Sequence, residues 1–447
     1  MSLGTFLGGI HPYEGKELAE DKPIKKIDPK DILVYPMAQH LGAPANPVVK
    51  KGDKVKVGQR IGEASGFISA NICSSVSGEV LDVKPHLTVN GAIVPSVFVK
   101  NDYEYETVEG YGEKRDYTQM DADTIRNIVK DAGVVGMGGA GFPANVKITP
   151  KDSNAIDYVL VNGAECEPYL TSDYRLMLEE GEKLVTGVKI LLQLFPNAKG
   201  LICVEENKPQ AIAKLKQICA NESKVDVCEL KTKYPQGGER MIIYAATGRK
   251  IYSKMLPADA GCIVSNVDTV ISIYRAVCES VPSIFRTLTI TGDAVANTGN
   301  YQVRTGMSYK EILEDAGGFK TQPEKIISGG PMMGFALYDI DVPVTKSSSA
   351  LLALTVDEVA KYEPSNCIRC GRCVDACPSN LIPQKMAEAT DKFDYDRFVE
   401  LNGMECFECG SCTYVCPAKR RLTQGFKQAR GAVAAARRAA AAKASAK

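Results

Sequence analysis

The sequence contains no tryptophan and only three histidines, and its 54 Lys and Arg balance 54 Asp and Glu over 447 residues. So few histidines leave little room for His-built metal sites or for several imidazole bases. The zero net charge excludes a strongly basic nucleic-acid binder. No stretch approaches the roughly 18 apolar residues of a membrane-crossing helix, so none is expected. The opening residues, MSLGTFLGGIHPYEGKEL, have no charged segment followed by a long apolar core, so no secretion signal is expected. A hydrophobic share of 45% and a charged share of 24% suit a folded globular chain, not a disordered or collagen-like one. At about 150 residues per domain, the length predicts three or four domains.

Cysteine is what the chain does have: 15 of them. Without a secretion signal, that number points to metal or redox chemistry rather than a disulfide framework. Eight fall in two runs, Cys367, Cys370, Cys373, Cys377-Pro378 and Cys406, Cys409, Cys412, Cys416-Pro417. Both read C-x2-C-x2-C-x3-C-P, the ligand run of bacterial two-cluster [4Fe-4S] ferredoxins. Three thiolates on a tight loop can reach three corners of one cube, and the fourth Cys points elsewhere. In two-cluster ferredoxins it serves the other cluster. The expected first site is therefore Cys367, Cys370, Cys373 and Cys416. The second is Cys406, Cys409, Cys412 and Cys377. Zinc sites pair two knuckles across a longer gap, and disulfides do not repeat such a run. The other seven Cys are scattered, and most read as buried free thiols.

Residues 1–29 are polar with little pattern and are expected to wrap the surface. Residues 30–105 alternate short strands and Gly-rich turns. Gly52, Asp53, Val55, Gly58 and Gln59, with Ser77-Gly78, make this stretch resemble a biotinyl/lipoyl-type barrel-sandwich hybrid. Carrier domains of that type have a modified Lys at the hairpin where Phe67 falls here, so the fold is expected without the carrier function. Residues 115–282 alternate strands and helices: 155–162, 199–207 and 225–230 read as strands, and 182–195 as a helix. Asp121 and Pro209 mark helix starts. That alternation predicts a parallel sheet, with ligands at the carboxyl ends of its strands. Residues 283–345, through Gly292, Gly299, Gly306 and Gly317-Gly318, resemble the SLBB β-grasp family. Residues 355–425 form the α-helical, ferredoxin-like two-cluster domain. Residues 418–447 carry nine Lys and Arg and no acid, which leaves 45 basic against 54 acidic residues elsewhere. The Ala-rich tail 426–447 is helix-prone. It reads as a solvated end or as a basic contact for an anionic surface or partner.

The run Gly136-Met137-Gly138-Gly139-Ala140-Gly141-Phe142-Pro143-Ala144-Asn145-Val146-Lys147 has four Gly in six residues. Glycines permit positive φ and close backbone approach, and successive N–H groups then form an anion nest. No Gly-Lys-Ser/Thr follows, so this is not a Walker loop, and it does not open a helix directly after a strand. Asn162-Gly163-Ala164-Glu165-Cys166-Glu167-Pro168 ends the first strand. Tyr234-Pro235-Gln236-Gly237-Gly238-Glu239 is a second Gly/acid turn, and Ser265-Asn266-Val267-Asp268-Thr269 opens an apolar helix. In this order the four motifs resemble the flavin-binding subunit of respiratory complex I and soluble NAD-reducing hydrogenases.

That resemblance implies a Rossmann-like domain in which FMN and NAD(H) share one cavity. It implies that Gly136, Gly138, Gly139, Gly141, Lys147, Asn162, Glu165, Gly237, Asn266 and Thr269 hold FMN. Phe142, Glu167 and Glu239 would contact the nicotinamide nucleotide. The family's Arg is Met137 here, its first acid is Ala164, one Glu is Gly238, and the aromatic pair after the Lys is missing. The full domain order, with Gly8-Gly9-Ile10-His11-Pro12 at the start, resembles the C subunits of Rnf complexes over nearly the whole chain.

The Rnf resemblance implies a peripheral subunit on the cytoplasmic face of the inner membrane. It would exchange a hydride between NAD(H) and FMN and relay electrons through two [4Fe-4S] clusters. Its partners would be the membrane-embedded subunits and the ferredoxin-accepting B subunit. The chemistry is the flavin's, so no amino-acid nucleophile or His base is expected. Two other readings stand beside it: a soluble NADH-dependent flavin/iron–sulfur reductase of another acceptor such as a corrinoid, and an electron-carrier scaffold without nucleotide chemistry.

Overall fold

The computed structural model describes residues 3–445. Its centre is a four-stranded parallel sheet in the order Val225–Leu230, Lys199–Glu205, Tyr158–Gly163, Cys262–Asn266. Four elements read from the sequence lie where expected. These are the strands Lys199–Glu205 and Val225–Leu230, and the helices Gly181–Leu194 and Pro209–Cys219. The reasons are local. Asp121 caps helix Ala122–Asp131 by accepting the Thr124 N–H at 2.7 Å. Pro209 sits in the first turn of its helix, where a missing N–H costs nothing. Helices Gly181–Leu194 and Val267–Glu279 bury Leu184, Val188, Leu191, Val270 and Ile273 against the sheet.

The first two strands beside Tyr158–Gly163 run to one side, and Cys262–Asn266 returns to the other. The strand order therefore reverses between Tyr158–Gly163 and Cys262–Asn266. Asn162 and Asn266 are register partners at the carboxyl ends flanking that reversal. An open α/β sheet offers its crevice at such a point.

Residues 32–101 form two small sheets, four-stranded (with Gly78–Leu87 and Ile93–Asn101 its longest strands) and three-stranded. Phe67 stands at the hairpin, 81% exposed. Leu33, Tyr35 and Val97 of these sheets pack with Leu288, Val303 and Leu351 of the β-grasp sheet in one hydrophobic core. Two regions that read as separate domains thus share an interior. The β-grasp sheet also runs past residue 345, because the apolar Ala350–Leu354 joins Phe285–Thr291 as a parallel neighbour.

The amino-terminal segment departs most from its sequence reading. It lies partly exposed, as expected, but it is also tied into the domains it crosses. Ile24–Lys26 adds a parallel strand to the β-grasp sheet. Lys16 is buried and donates to the carbonyls of Glu165, Glu167 and Leu170. Gly9 N–H donates to Ala376 O at 2.9 Å, and Ile10 exchanges two hydrogen bonds with Tyr234. The segment is polar because it both hydrogen-bonds neighbouring domains and leaves residues such as Glu17, Asp21, Lys25 and Lys26 exposed to water.

The cluster domain is helical, with Met386, Phe398 and Phe426 at its core. Its last helix, Leu422–Ser445, carries the basic tail. Arg437, Arg438 and Lys443 on it are exposed, and Lys447 lies outside the described residues. No helix among the described residues is long and apolar enough to cross a membrane.

Candidate functional site

The four motifs converge where the strand order reverses. Met137 N–H donates to Thr269 Oγ1 at 2.8 Å, and Asn266 Nδ2 would lie 3.0 Å from a Cβ on Gly138. Asn266 caps its helix by accepting the Asp268 N–H. Asn162 Nδ2 donates to Gly237 O at 2.8 Å, and Cys166 Sγ accepts the Gly237 N–H. Lys147 Nζ donates to Val264 O at 2.9 Å and lies 3.3 Å from Glu239 Oε2. Thus Lys147, Asn162, Gly237, Glu239, Asn266 and Thr269 are brought together around the glycine loop.

Gly138 has φ 110° and Gly141 φ 69°, conformations that favour glycine. The N–H groups of Gly138, Gly139, Ala140 and Gly141 donate to no protein acceptor among the described residues. Gly136 N–H, by contrast, is taken by Phe142 O, and Phe142 is half-buried. A run of free amides beside a lysine suits a phosphate. Met137 turns inward, fully buried, and its sulfur accepts the Ser272 hydroxyl.

Two acids have other engagements. Glu165 takes φ 45°, and its carboxylate accepts the N–H groups of Asp173 and Tyr174, so it caps helix Ser172–Glu179. Glu167 Oε1 accepts the N–H groups of Met332 and Met333 at 2.7 and 3.1 Å, across the boundary with the β-grasp domain. Burial pushes its carboxyl above the usual range, and those two amides pull it back. Both side chains lie next to the site, but both are already bonded to protein. Burial likewise holds the Cys166 thiol well above its usual value, so it is no thiolate nucleophile.

Asp173 escaped the sequence reading. It accepts Asn266 Nδ2 at 2.6 Å, and burial, with Glu165 beside it, pushes its carboxyl up to about 8. The only sequence signal was an acid in the first turn of the helix after the NGAECEP segment. Behind it, Asp268 of the fourth motif forms a buried ion pair with Arg286.

The eight cysteines of the two runs fall into two groups. Cys367, Cys370, Cys373 and Cys416 line one cavity. Cys377, Cys406, Cys409 and Cys412 line another. The fourth Cys of each run thus sits with the first three of the other. Among the described residues no three His, Cys, Asp or Glu converge tightly enough for a single ion. Four thiols spread round a cavity instead suit a multi-atom cluster. The second cavity adjoins the sheet site. Tyr234 is 2% exposed, and its hydroxyl donates to Cys409 O at 2.7 Å. Tyr234, Cys409, Cys166 and Phe407 share one apolar cluster. None of the three histidines belongs to that cluster, although the His40 backbone lies against Gly141 of the glycine loop. His40 bonds within the barrel-sandwich loops and His86 stacks edge-on against Phe98.

A glycine loop with free amides at a sheet reversal, joined through a buried tyrosine to one of two four-cysteine cavities, suits a flavin and iron–sulfur electron-transfer protein. Family models bear on each part. Residues 129–275 match the Nuo51 FMN-binding domain and 366–419 the 4Fe-4S dicluster domain. Residues 4–104 match the RnfC barrel sandwich hybrid domain, and 287–336 the SLBB domain. The chain is 45% identical to the C subunit of the proton-translocating ferredoxin:NAD(+) oxidoreductase complex of Clostridium ljungdahlii, over 94% of this chain and 92% of that one. It is 44% identical to the Na(+)-translocating counterpart of Acetobacterium woodii, over 97% and 98%. The chain belongs to the family of Rnf complex C subunits. Its fold also resembles a chain of an NAD+-reducing [NiFe]-hydrogenase, with a TM-score of 0.51 at 18% identity. That match covers 70% of this chain and 63% of the hydrogenase chain.

Proposed function

We propose that this chain carries electrons between NAD(H) and the other subunits of a ferredoxin:NAD+ oxidoreductase complex, through one flavin site and two cluster sites. The observation that carries the reading is the contact of Tyr234 with Cys409, which joins the sheet crevice to the second cysteine cavity. Bound in the crevice, FMN would supply hydride exchange with NAD(H) and single-electron transfer to the clusters.

The chain's own residues do the rest. The amides of Gly138–Gly141 and the Lys147 ammonium would hold the phosphate. Asn162, Gly237, Asn266 and Thr269 shape the crevice floor, and Asp173 fixes the Asn266 amide. Glu165 acts from behind, through the helix it caps. Phe142, Glu167 and Glu239 border the space left for the nicotinamide nucleotide. Cys377, Cys406, Cys409 and Cys412 would hold the inner cluster. Cys367, Cys370, Cys373 and Cys416 would hold the outer one, and Cys367 and Cys370 are exposed. The outer site is therefore the exit toward partner subunits. Its place is peripheral, on the cytoplasmic face, with the membrane spanned by those partners.

Anaerobic NADH added to the reconstituted chain tests this. Flavin bleaching should precede cluster reduction. Lys147→Ala should weaken FMN binding about tenfold, the loss of one charge-assisted phosphate contact. A variant that keeps full flavin at the same affinity would remove Lys147 from the site. A chain that releases no FMN on denaturation would end the enzyme reading.

A further inference from the structure

The turn Gly329–Gly334 of the β-grasp domain reaches both working sites. Its Met332 and Met333 amides hold Glu167 Oε1. A Cβ on Gly330 would lie 2.2 Å from Glu167 Cγ, so only glycine lets the carboxylate lie there. On its other side the turn meets the loop of the inner cluster site. A Cβ on Gly410 would find Met332 Cε and Met332 O at 3.3 Å. Met332 belongs to the same apolar cluster as Tyr234 and Cys409. Tyr234 supplies a second connection. Its hydroxyl donates to Cys409 O, and Glu167 lies near it.

We propose that the Gly329–Gly334 turn is a positioning element for nucleotide and cluster together: it fixes the Glu167 carboxylate and the Cys409–Gly410 loop against each other. The proposal rests on Glu167 bordering the nicotinamide space and on Cys409 being a cluster ligand. Packing alone would need only apolar contact. Here two amide donors fix one carboxylate oxygen, which selects one rotamer and one height above the crevice. Met332 then transmits that height to the loop on which Cys409 sits. A nucleotide that moves Glu167 therefore alters the surroundings of the inner cluster and leaves the outer one alone.

The test uses the full chain loaded with flavin and both clusters, with NADH and ADP-ribose as probes. Gly330→Ala displaces Glu167. The NADH dissociation constant should rise about tenfold or more, while that of ADP-ribose, which lacks the nicotinamide, changes less than about twofold. The paramagnetic resonance signal of the reduced inner cluster should shift, and that of the outer cluster should not. An unchanged inner-cluster signal overturns the proposal, whatever the affinities. Should Gly330→Ala lose flavin or iron, Glu167→Ala and Glu167→Gln decide. The alanine variant should shift the inner signal. The glutamine variant, whose carbonyl still accepts both amides, should restore it. A Glu167→Ala signal identical to wild type also overturns the proposal. A wild-type chain that binds no NADH would instead overturn the nucleotide reading, and this proposal with it.

Discussion

In the Cys367 loop Arg369 takes φ 57° and its N–H approaches Cys367 Sγ at 3.4 Å. In the Cys406 loop Glu408 takes φ 63° and its N–H approaches Cys406 Sγ at the same 3.4 Å. Gly371 and Gly410 follow with φ 81° and 82°, and a one-turn helix follows each, Arg372–Asp375 and Ser411–Tyr414. Backbone and spacing are the same, but the surroundings are not. A Cβ on Gly371 would meet nothing within 4 Å, whereas one on Gly410 meets Met332. Arg369 has no ion pair among the described residues, whereas Glu408 pairs with Arg430. Cys367 and Cys370 are exposed, while Cys409 and Cys412 are each 9% exposed. A repeated motif sets the ligand chemistry. In the proposed relay, burial against the rest of the molecule would set each site's place.

The sharpest break in that comparison comes from the fourth cysteines. Cys377→Ser should abolish the inner-cluster signal and spare the outer, and Cys416→Ser should do the reverse. Iron content and paramagnetic resonance check this, and matched losses in both variants would undo the crossed pairing. A smaller contrast is expected toward oxidants. Limited ferricyanide should bleach the outer cluster several-fold faster, because solvent and reagent reach Cys367 and Cys370 directly. Smaller still is Tyr234→Phe. It removes one neutral hydrogen bond to the Cys409 carbonyl, worth about 1 kcal/mol. Iron content should hold, with a slight change in the inner signal alone.

The sequence marked the sites better than their connections. The strands read at 199–207 and 225–230, the cap at Asp121 and the four motif positions follow from local pattern, and the pairing of cysteines from the ligand run of two-cluster ferredoxins. Residues 3–28 carry no such pattern, because their role is to bond Cys377's neighbour Ala376, Tyr234 and the 165–170 turn, which are far along the chain. The engagement of Glu167 was equally invisible, since its partners lie 165 and 166 residues away. The likeness to flavin subunits placed Glu165 and Glu167 at the site. It did not reveal that both carboxylates are already bound by backbone amides. The apolar Ala350–Leu354 could not be assigned to the β-grasp sheet, because a buried strand without alternation looks like any short apolar run.

The central claim is an order: sheet crevice, then the Cys409 site, then the Cys367 site. Rapid-freeze paramagnetic resonance after mixing with NADH tests it in two variants. In Cys367→Ser, which lacks the outer cluster, the inner cluster should still be reduced at the wild-type rate. In Cys409→Ser, which lacks the inner one, the flavin should bleach while the outer cluster stays oxidised. Prompt reduction of the outer cluster in Cys409→Ser would contradict the order.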